Sequence, residues 1–358
     1  MRDGFDGAGA GSRRGLSYPF DSGPEIGGAV DVAPGVKWLR LPLGGSLQFI
    51  NVWAVEDGPT DGERGWAIFD TGIGGPETLQ AWRKAFAGPL AGKTVSRVFV
   101  THMHPDHTGM AGWLTRKFAC RLWITRLEFL TCRSLAADTG LEAPDEALAF
   151  YRTAGWDETA IENYRSRFGF FGKSLHVLPN SFRRLNDRDR FLVGDHEWEV
   201  VVGSGHSPEH ACFYCPGLKL MISGDQVLPR ISSNVSVFPT EPDADPLRDW
   251  LTSLARIKTR IPDDVLVLPA HNDPFHGLHA RLDQLIDGHE RILKRLRRQI
   301  AEPKRSIDVF GTLFGRAIDD SVLGMATGES IAHLNCLLGR GQAVRTRDAV
   351  GVTWYQAA

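Results

Sequence analysis

The segment His102-Met103-His104-Pro105-Asp106-His107 constrains this chain more than any other. It places four metal-competent side chains within six residues, directly after the run Val95-Ser96-Arg97-Val98-Phe99-Val100. That run reads as a buried strand delivering the chain to the histidines. The segment itself cannot continue as a regular strand, because Pro105 lacks the N–H that a sheet ladder needs. A loop there lets His102 and His104 face one way while Asp106 and His107 reach another. One short loop can then serve two neighbouring ions. Imidazole nitrogen and carboxylate oxygen suit zinc, and a catalytic zinc site keeps a position open for water. To be only a polar loop, the segment would have to gather three of the chain's 12 histidines by accident.

The rest of the chain predicts α/β layers around that loop. Residues 1–30 are glycine-rich with few apolar side chains and read as a flexible N-terminal arm. Strands are expected at 36–42, 47–56 and 66–69, the first two separated by Gly44-Gly45, and a helix at 76–86. Residues 120–182 read as a mostly helical insertion, with helices at 128–137, 144–154 and 157–168 and many aromatics. Strands resume at 191–193, 198–202, 211–214, 219–222 and 265–268. Past Pro274, helices at 280–300, 307–317 and 330–338 precede two strands around Asp348-Ala349-Val350-Gly351. This predicts a catalytic domain over 31–278 and a small winged-helix-like appendage over 279–358.

Composition narrows the class. With 358 residues and 42% apolar content the chain can bury a sizeable core. A net charge of −2 argues against a chain built to coat nucleic acid. The five cysteines are odd in number and scattered, which predicts reduced thiols and a cytoplasmic location. Cys212 and Cys215 lie in an apolar run that reads as a buried strand. No window approaches the ~20 apolar residues of a membrane span, and residues 1–16 contain no apolar run of a secretory leader.

Further residues extend the first motif. Asp70 ends a strand in Phe69-Asp70-Thr71-Gly72, and His206 lies in Gly205-His206-Ser207-Pro208. Asp225 follows a strand in Ser223-Gly224-Asp225, and His271 ends Leu268-Pro269-Ala270-His271. In this order the set resembles the metallo-β-lactamase superfamily over about residues 36–275. The resemblance implies a four-layer αββα sandwich. It implies one metal held by His102, His104 and His206, a second by Asp106, His107 and His271, and Asp225 bridging both. Asp70 would orient the metal loop by hydrogen bonds. Two divalent ions are implied, zinc first, with iron or manganese as alternatives. A hydroxide bridging them would be the nucleophile, and Asp106 would take up the proton of the incoming water. His210 reads as a core histidine or a supporting partner, and His276 and His279 as surface or helix-cap residues.

The same resemblance leaves the substrate open. The aromatic insertion could cover the metals, which favours an ester, thioester or lactone of a partly apolar small molecule. Trp156 and Tyr164 in the insertion, and Asn234 in the loop after Asp225, are the expected substrate contacts. The alternative is a phosphodiesterase or endoribonuclease, since Arg291, Lys294, Arg295, Arg297 and Arg298 crowd one C-terminal helix. Hydrolysis of β-lactams and a non-hydrolytic metal-bound role are further alternatives. A homodimer through the appendage is also compatible with the sequence, and no membrane partner is expected.

Overall fold

The structure, a computed structural model, describes residues 15–45, 47–58, 64–315 and 317–358. Two sheets face each other. The first contains β1 (Ala29–Ala33), β2 (Val36–Gly44), β3 (Gln48–Asp57), β4 (Gly65–Phe69), β5 (Val95–Phe99), β6 (Arg121–Thr125) and β7 (Arg183–Leu185), in that spatial order. It is antiparallel up to β4 and parallel from β4 to β7. The second runs β12-β11-β10-β9-β8, from β8 (Arg190–Val193), β9 (His196–Gly203), β10 (His210–Cys215), β11 (Leu220–Gly224) and β12 (Leu266–Pro269). Its β11 and β12 are parallel and its other pairs antiparallel. A hairpin of β13 (Ala343–Arg347) and β14 (Thr353–Ala357) ends the chain.

Helices cover both outer faces. On the first sheet lie α1 (Pro76–Ala87), then α2 (Pro105–Thr108) and α3 (Ala111–Phe118). The insertion supplies α4 (Arg126–Ala137), α5 (Asp145–Thr153) and α6 (Glu158–Arg167). The second sheet is covered by α7 (Pro246–Arg260), α8 (Leu278–Gln299), α9 (Phe310–Leu313) and α10 (Leu323–Gly339). This is the expected four-layer αββα sandwich with a helical C-terminal region. Between the sheets Phe69 stacks on Phe99 at 4.5 Å and meets Phe213 edge-on at 4.9 Å. Each such ring contributes on the order of 1.5–3 kcal/mol by burial. All five cysteines are free, and Cys212 and Cys215 lie buried in β10.

Several expectations need correction. Residues 1–14 of the expected arm lie outside the described residues, but the chain from Gly15 onward is packed. Leu16 is buried, Ser17 bridges to His276, and Phe20 sits edge-on to Trp38. These few apolar side chains anchor an otherwise polar stretch. The expected insertion begins with a strand, β6, whose Leu122 and Ile124 alternate inward. The helix expected at 307–317 is a 3-10 turn followed by four residues of α9, and α10 starts at Leu323, earlier than expected. The helix α7 is not among the expected elements. Its signals are nevertheless in the sequence: Asp245 caps it by accepting from the Arg248 N–H, Pro246 opens it, and Leu247, Trp250, Leu254 and Ile257 line its buried side.

The region expected as an appendage shares its core with the sandwich. One continuous cluster joins Val201, Met221 and Val267 of the second sheet, Trp250 and Leu254 of α7, Leu334 and Leu337 of α10, and Tyr355 of β14. The same cluster takes in Leu148 and Tyr151 of the insertion.

Candidate metal centre

The motif residues all follow strands that end at one edge of the sandwich. Asp70 follows β4, His102 to His107 follow β5, His206 follows β9, Asp225 follows β11 and His271 follows β12. Parallel strands gather such ends, which is why open α/β sheets place their sites there. The Ala211 N–H donates to the Thr101 carbonyl at 2.8 Å, tying the two sheets together at this edge. The sharp exit of β11 needs glycine. Gly224 has φ +50°, and a Cβ there would lie 2.6 Å from the His210 ring.

Pro105 opens the short helix α2, so the metal loop turns sharply between His104 and Asp106. This separates the donors into two groups. In the first, His102 Nε2 lies 2.9 Å from His104 Nδ1 and 3.2 Å from His206 Nε2. In the second, His271 Nε2 lies 3.3 Å from Asp106 Oδ2, and His107 Nε2 lies 3.6 Å from the same oxygen. Asp225 stands between them. Its Oδ2 is 3.5 Å from His206 Nε2, and its Oδ1 is 3.5 Å from His271 Nε2 and 3.7 Å from His107 Nε2.

The tautomers follow from the outer partners. His206 Nδ1 faces the Asn234 carbonyl at 2.6 Å, and His271 Nδ1 faces the Phe49 carbonyl at 3.2 Å. A carbonyl only accepts, so both Nδ1 atoms donate, and in the neutral imidazole each Nε2 is the nitrogen left with a lone pair. His107 Nδ1 donates to Asp70 Oδ2 at 2.7 Å. Thr101 Oγ1 donates to the same carboxylate at 2.9 Å and can therefore accept from His102 Nδ1 at 3.0 Å. Ring nitrogens thus converge on two small spaces. His107 Nε2 and Asp225 Oδ1 are buried without a hydrogen-bond partner. Orphaned buried donors of this type fit cations, and the donor groups within 4.8 Å of one another are suited to hold them.

The electrostatics of the two groups differ. Burial, together with neighbouring imidazoles, holds His102 well below its ordinary pKa and His104 down to about 3. Both imidazoles are neutral. In the second group burial alone would discharge Asp106, but His107 and His271 outweigh it and hold the carboxyl at about 2. Burial also opposes charge on His107 and His271, yet the surrounding aspartates raise both. This surplus of carboxylate marks a place for positive charge.

Sequence reasoning missed several supporting residues. Glu128, fully buried on α4, accepts from the Met103 N–H at 2.8 Å and the Glu209 N–H at 2.7 Å. It therefore clamps the metal loop to the His206 turn, and burial raises its pKa. Its only sequence signal was a lone acid at the start of a predicted helix. Thr101 bonds to Asp70 through both its N–H and its hydroxyl. His210 is both a core residue and a partner: it stacks on His102, and its Nε2 accepts from the Asp225 N–H at 3.0 Å. His276 and His279 bond to backbone carbonyls at 265 and 261.

The expected substrate contacts are placed differently. Trp156 stacks on Tyr151 at 4.1 Å, and its Nε1–H donates to Thr327 of α10 at 2.9 Å. Tyr164 packs on Tyr151 and Phe168. These rings join the insertion to α10. Asn234 is committed too: Ser236 Oγ donates to its Oδ1 at 2.6 Å, and its Nδ2 donates to Glu329 at 3.0 Å. Its side chain holds the loop rather than presenting free polar atoms to a substrate.

The sequence matches the family described as Metallo-beta-lactamase superfamily over residues 45–271. It matches the one described as Metallo-beta-lactamase-like, C-terminal domain, over residues 293–358. The chain belongs to the metallo-β-lactamase superfamily. A solved beta-lactamase domain protein from Burkholderia ambifaria is 39% identical, with a TM-score of 0.88 over 96% of this chain and 98% of that one. A metallo-beta-lactamase family protein from Thermus thermophilus is 24% identical with a TM-score of 0.75, over 92% of this chain and 100% of its own, a likeness of fold. An atrochrysone carboxyl ACP thioesterase of Aspergillus fumigatus is 24% identical over 73% of this chain, which spans about half of that relative's length, 47%. A protein of the same name from Emericella nidulans is 25% identical over 87% of this chain and 80% of the relative. No helix among the described residues is long and apolar enough to cross a membrane.

Proposed function

We propose that the chain hydrolyses a thioester of a partly apolar acyl group, with esters and lactones of similar groups as neighbouring substrates. Two divalent cations, zinc in the first instance, would be held by the two donor groups that share Asp225. The observation that carries this reading is that sharing: one carboxylate offers an oxygen to each group. Bound there, the cations would supply Lewis acidity that makes water nucleophilic near neutral pH and stabilises charge on the substrate carbonyl oxygen.

The chain's own residues do the rest. Asp70, Asn234 and Phe49 hold three imidazoles with Nε2 turned inward. Asp106 is ionised, and its side chain, 18% exposed, is the most open of the carboxylates around the donor groups. It is the group placed to accept a proton from an incoming water. Apolar side chains lie on segments beside the donors: Phe49 and Ile231 are partly exposed, and Phe238 and Met325 more so. They suit an acyl chain better than a phosphodiester backbone. The thioesterase names of two relatives support the same choice.

The test is metal content per chain together with turnover of an acyl thioester, a p-nitrophenyl ester, a lactone, a β-lactam and a phosphodiester. We expect about two ions, as in two-metal sites, and fastest turnover of the thioester. Turnover of the phosphodiester alone, falling steeply with salt, would transfer the assignment to the nuclease. Metal-loaded protein inert to the whole panel would sink the hydrolytic reading.

A further inference from the structure

Glu329 lies on α10, far along the chain from every metal-competent motif, yet two hydrogen-bond chains connect it to the loop after Asp225. Its carboxylate accepts from Asn234 Nδ2 at 3.0 Å, and the Asn234 carbonyl accepts from His206 Nδ1 at 2.6 Å. The Glu329 carbonyl accepts from His333 Nδ1 at 2.8 Å. That fixes the His333 tautomer, so its Nε2 accepts from His289 Nδ1 at 3.2 Å, and His289 Nε2 accepts from the Ser232 hydroxyl at 3.1 Å. Side chain and backbone of one residue therefore anchor Asn234 and Ser232 together.

The helix is also fitted closely against this loop. The Val237 N–H donates to the Gly328 carbonyl at 3.1 Å. A Cβ on Gly328 would come within 2.8 Å of the Val237 carbonyl oxygen and 2.9 Å of the Ser236 side chain. Any larger residue there would push the helix away.

We infer that Glu329 is a positioning residue for His206: by holding Asn234 it fixes the carbonyl that orients the His206 ring. The inference rests on the metal-holding role proposed above for His206. Its physical basis is the single hydrogen bond to His206 Nδ1. A loop free to move by an ångström would let the ring turn its Nε2 away from His102 and His104, and outer partners of ligating histidines contribute about 10–100-fold to metal affinity. The C-terminal region then completes the metal centre from outside the catalytic motifs.

The experiment is metal competition against a chromophoric chelator on the full chain, using zinc as the probe, for wild type, Glu329→Gln, Glu329→Leu, Asn234→Ala and the Leu/Ala double variant. The Gln oxygen still accepts from Asn234, so that variant should stay within about twofold of wild type, well inside the 10–100-fold loss that removing an outer partner brings. Glu329→Leu should lose about 10–100-fold in affinity for one ion and leave the other unchanged. Asn234→Ala should lose a similar amount, and the double variant no more than either single, because both act through one contact. If Glu329→Leu fails to fold, Asn234→Ala, which removes the same contact from the loop side and lies outside any helix or strand, carries the same test. Wild-type affinity in Glu329→Leu or Asn234→Ala, or additive losses in the double, would overturn the inference while leaving the metal assignment intact. A wild type that binds no zinc would overturn the metal assignment first.

Discussion

The two donor groups are built from nearly the same residue types but by opposite electrostatics. The first, His102, His104 and His206, is all imidazole, and burial strips His102 and His104 of protons. The second, Asp106, His107 and His271, is surrounded by carboxylates that pull protons toward its histidines. In the first group a cation would replace crowding between neutral lone pairs. In the second it would replace positive charge that protons otherwise supply. A protein can thus prepare neighbouring cation sites in two ways, by exclusion of charge and by excess of it. Asp225 is where the two meet.

The widest test of that contrast is Asp225→Asn. It removes the shared charge, so both groups should weaken together and thioester turnover should fall on the order of 10³-fold, about 4 kcal/mol. In metal-free protein it should also lower the thermal midpoint, because burial opposes the Asp225 charge but His271 and His107 hold that carboxyl well below the ordinary range and would lose their partner. A metal-free variant as stable as wild type, or one group weakened and the other untouched, would break the comparison.

Asp70→Asn separates the groups. The amide leaves one acceptor oxygen where three donors converge, and its NH₂ opposes His107 Nδ1–H. His107 then loses the fixed tautomer that bares its Nε2. One ion should be lost with about a 100-fold fall in turnover, and the other kept, as read by metal content per chain. Loss of both ions at once would show that the groups do not act separately.

Glu128→Gln probes the first group from behind. One of its two backbone N–H partners would meet an NH₂ instead of an oxygen. Chemical denaturation should record a loss on the order of 1–2 kcal/mol, with the ion near His104 held less tightly. Equal weakening of both ions would place Glu128 outside this contrast.

The last contrast is with a histidine pair without carboxylates or metal. Burial holds His289 at about 3 and His333 at about 4, both below the ordinary value near 6.5. Below that value the unfolded chain takes up protons that the folded chain refuses. Stability should therefore fall as pH drops from about 6.5 toward 4, by at most about 1.4 kcal/mol per pH unit for each histidine. Replacing both with leucine should flatten that slope in thermal melts between pH 7 and 5. An unchanged slope would mean that other groups dominate acid sensitivity.

Much of the centre was legible before folding because its signals are local. His102 to His107, Asp70, His206, Asp225 and His271 each stand at the end of an apolar run, where a strand must stop and a polar side chain can face outward. The layers were legible for the same reason, since alternation and helical spacing are short-range patterns. The helix α7 is equally legible in Asp245-Pro246 and its four buried apolar residues, although it is absent from the expected elements. Glu128, Thr101 and Glu329 carry no such signal. A lone acid or threonine looks the same in sequence whether it is solvated or clamps a metal loop.

The sequence alone therefore determined which side chains could bind cations and at which strand ends they sit, because strand length and polarity are encoded residue by residue. Only the tertiary structure decided that Asn234 faces backward to hold His206, that Trp156 joins the insertion to α10, and that a helix near the end of the chain supports the centre. These contacts join residues 95 and 171 positions apart. Packing of separate layers creates them, and no local pattern records which of many buried polar groups will meet.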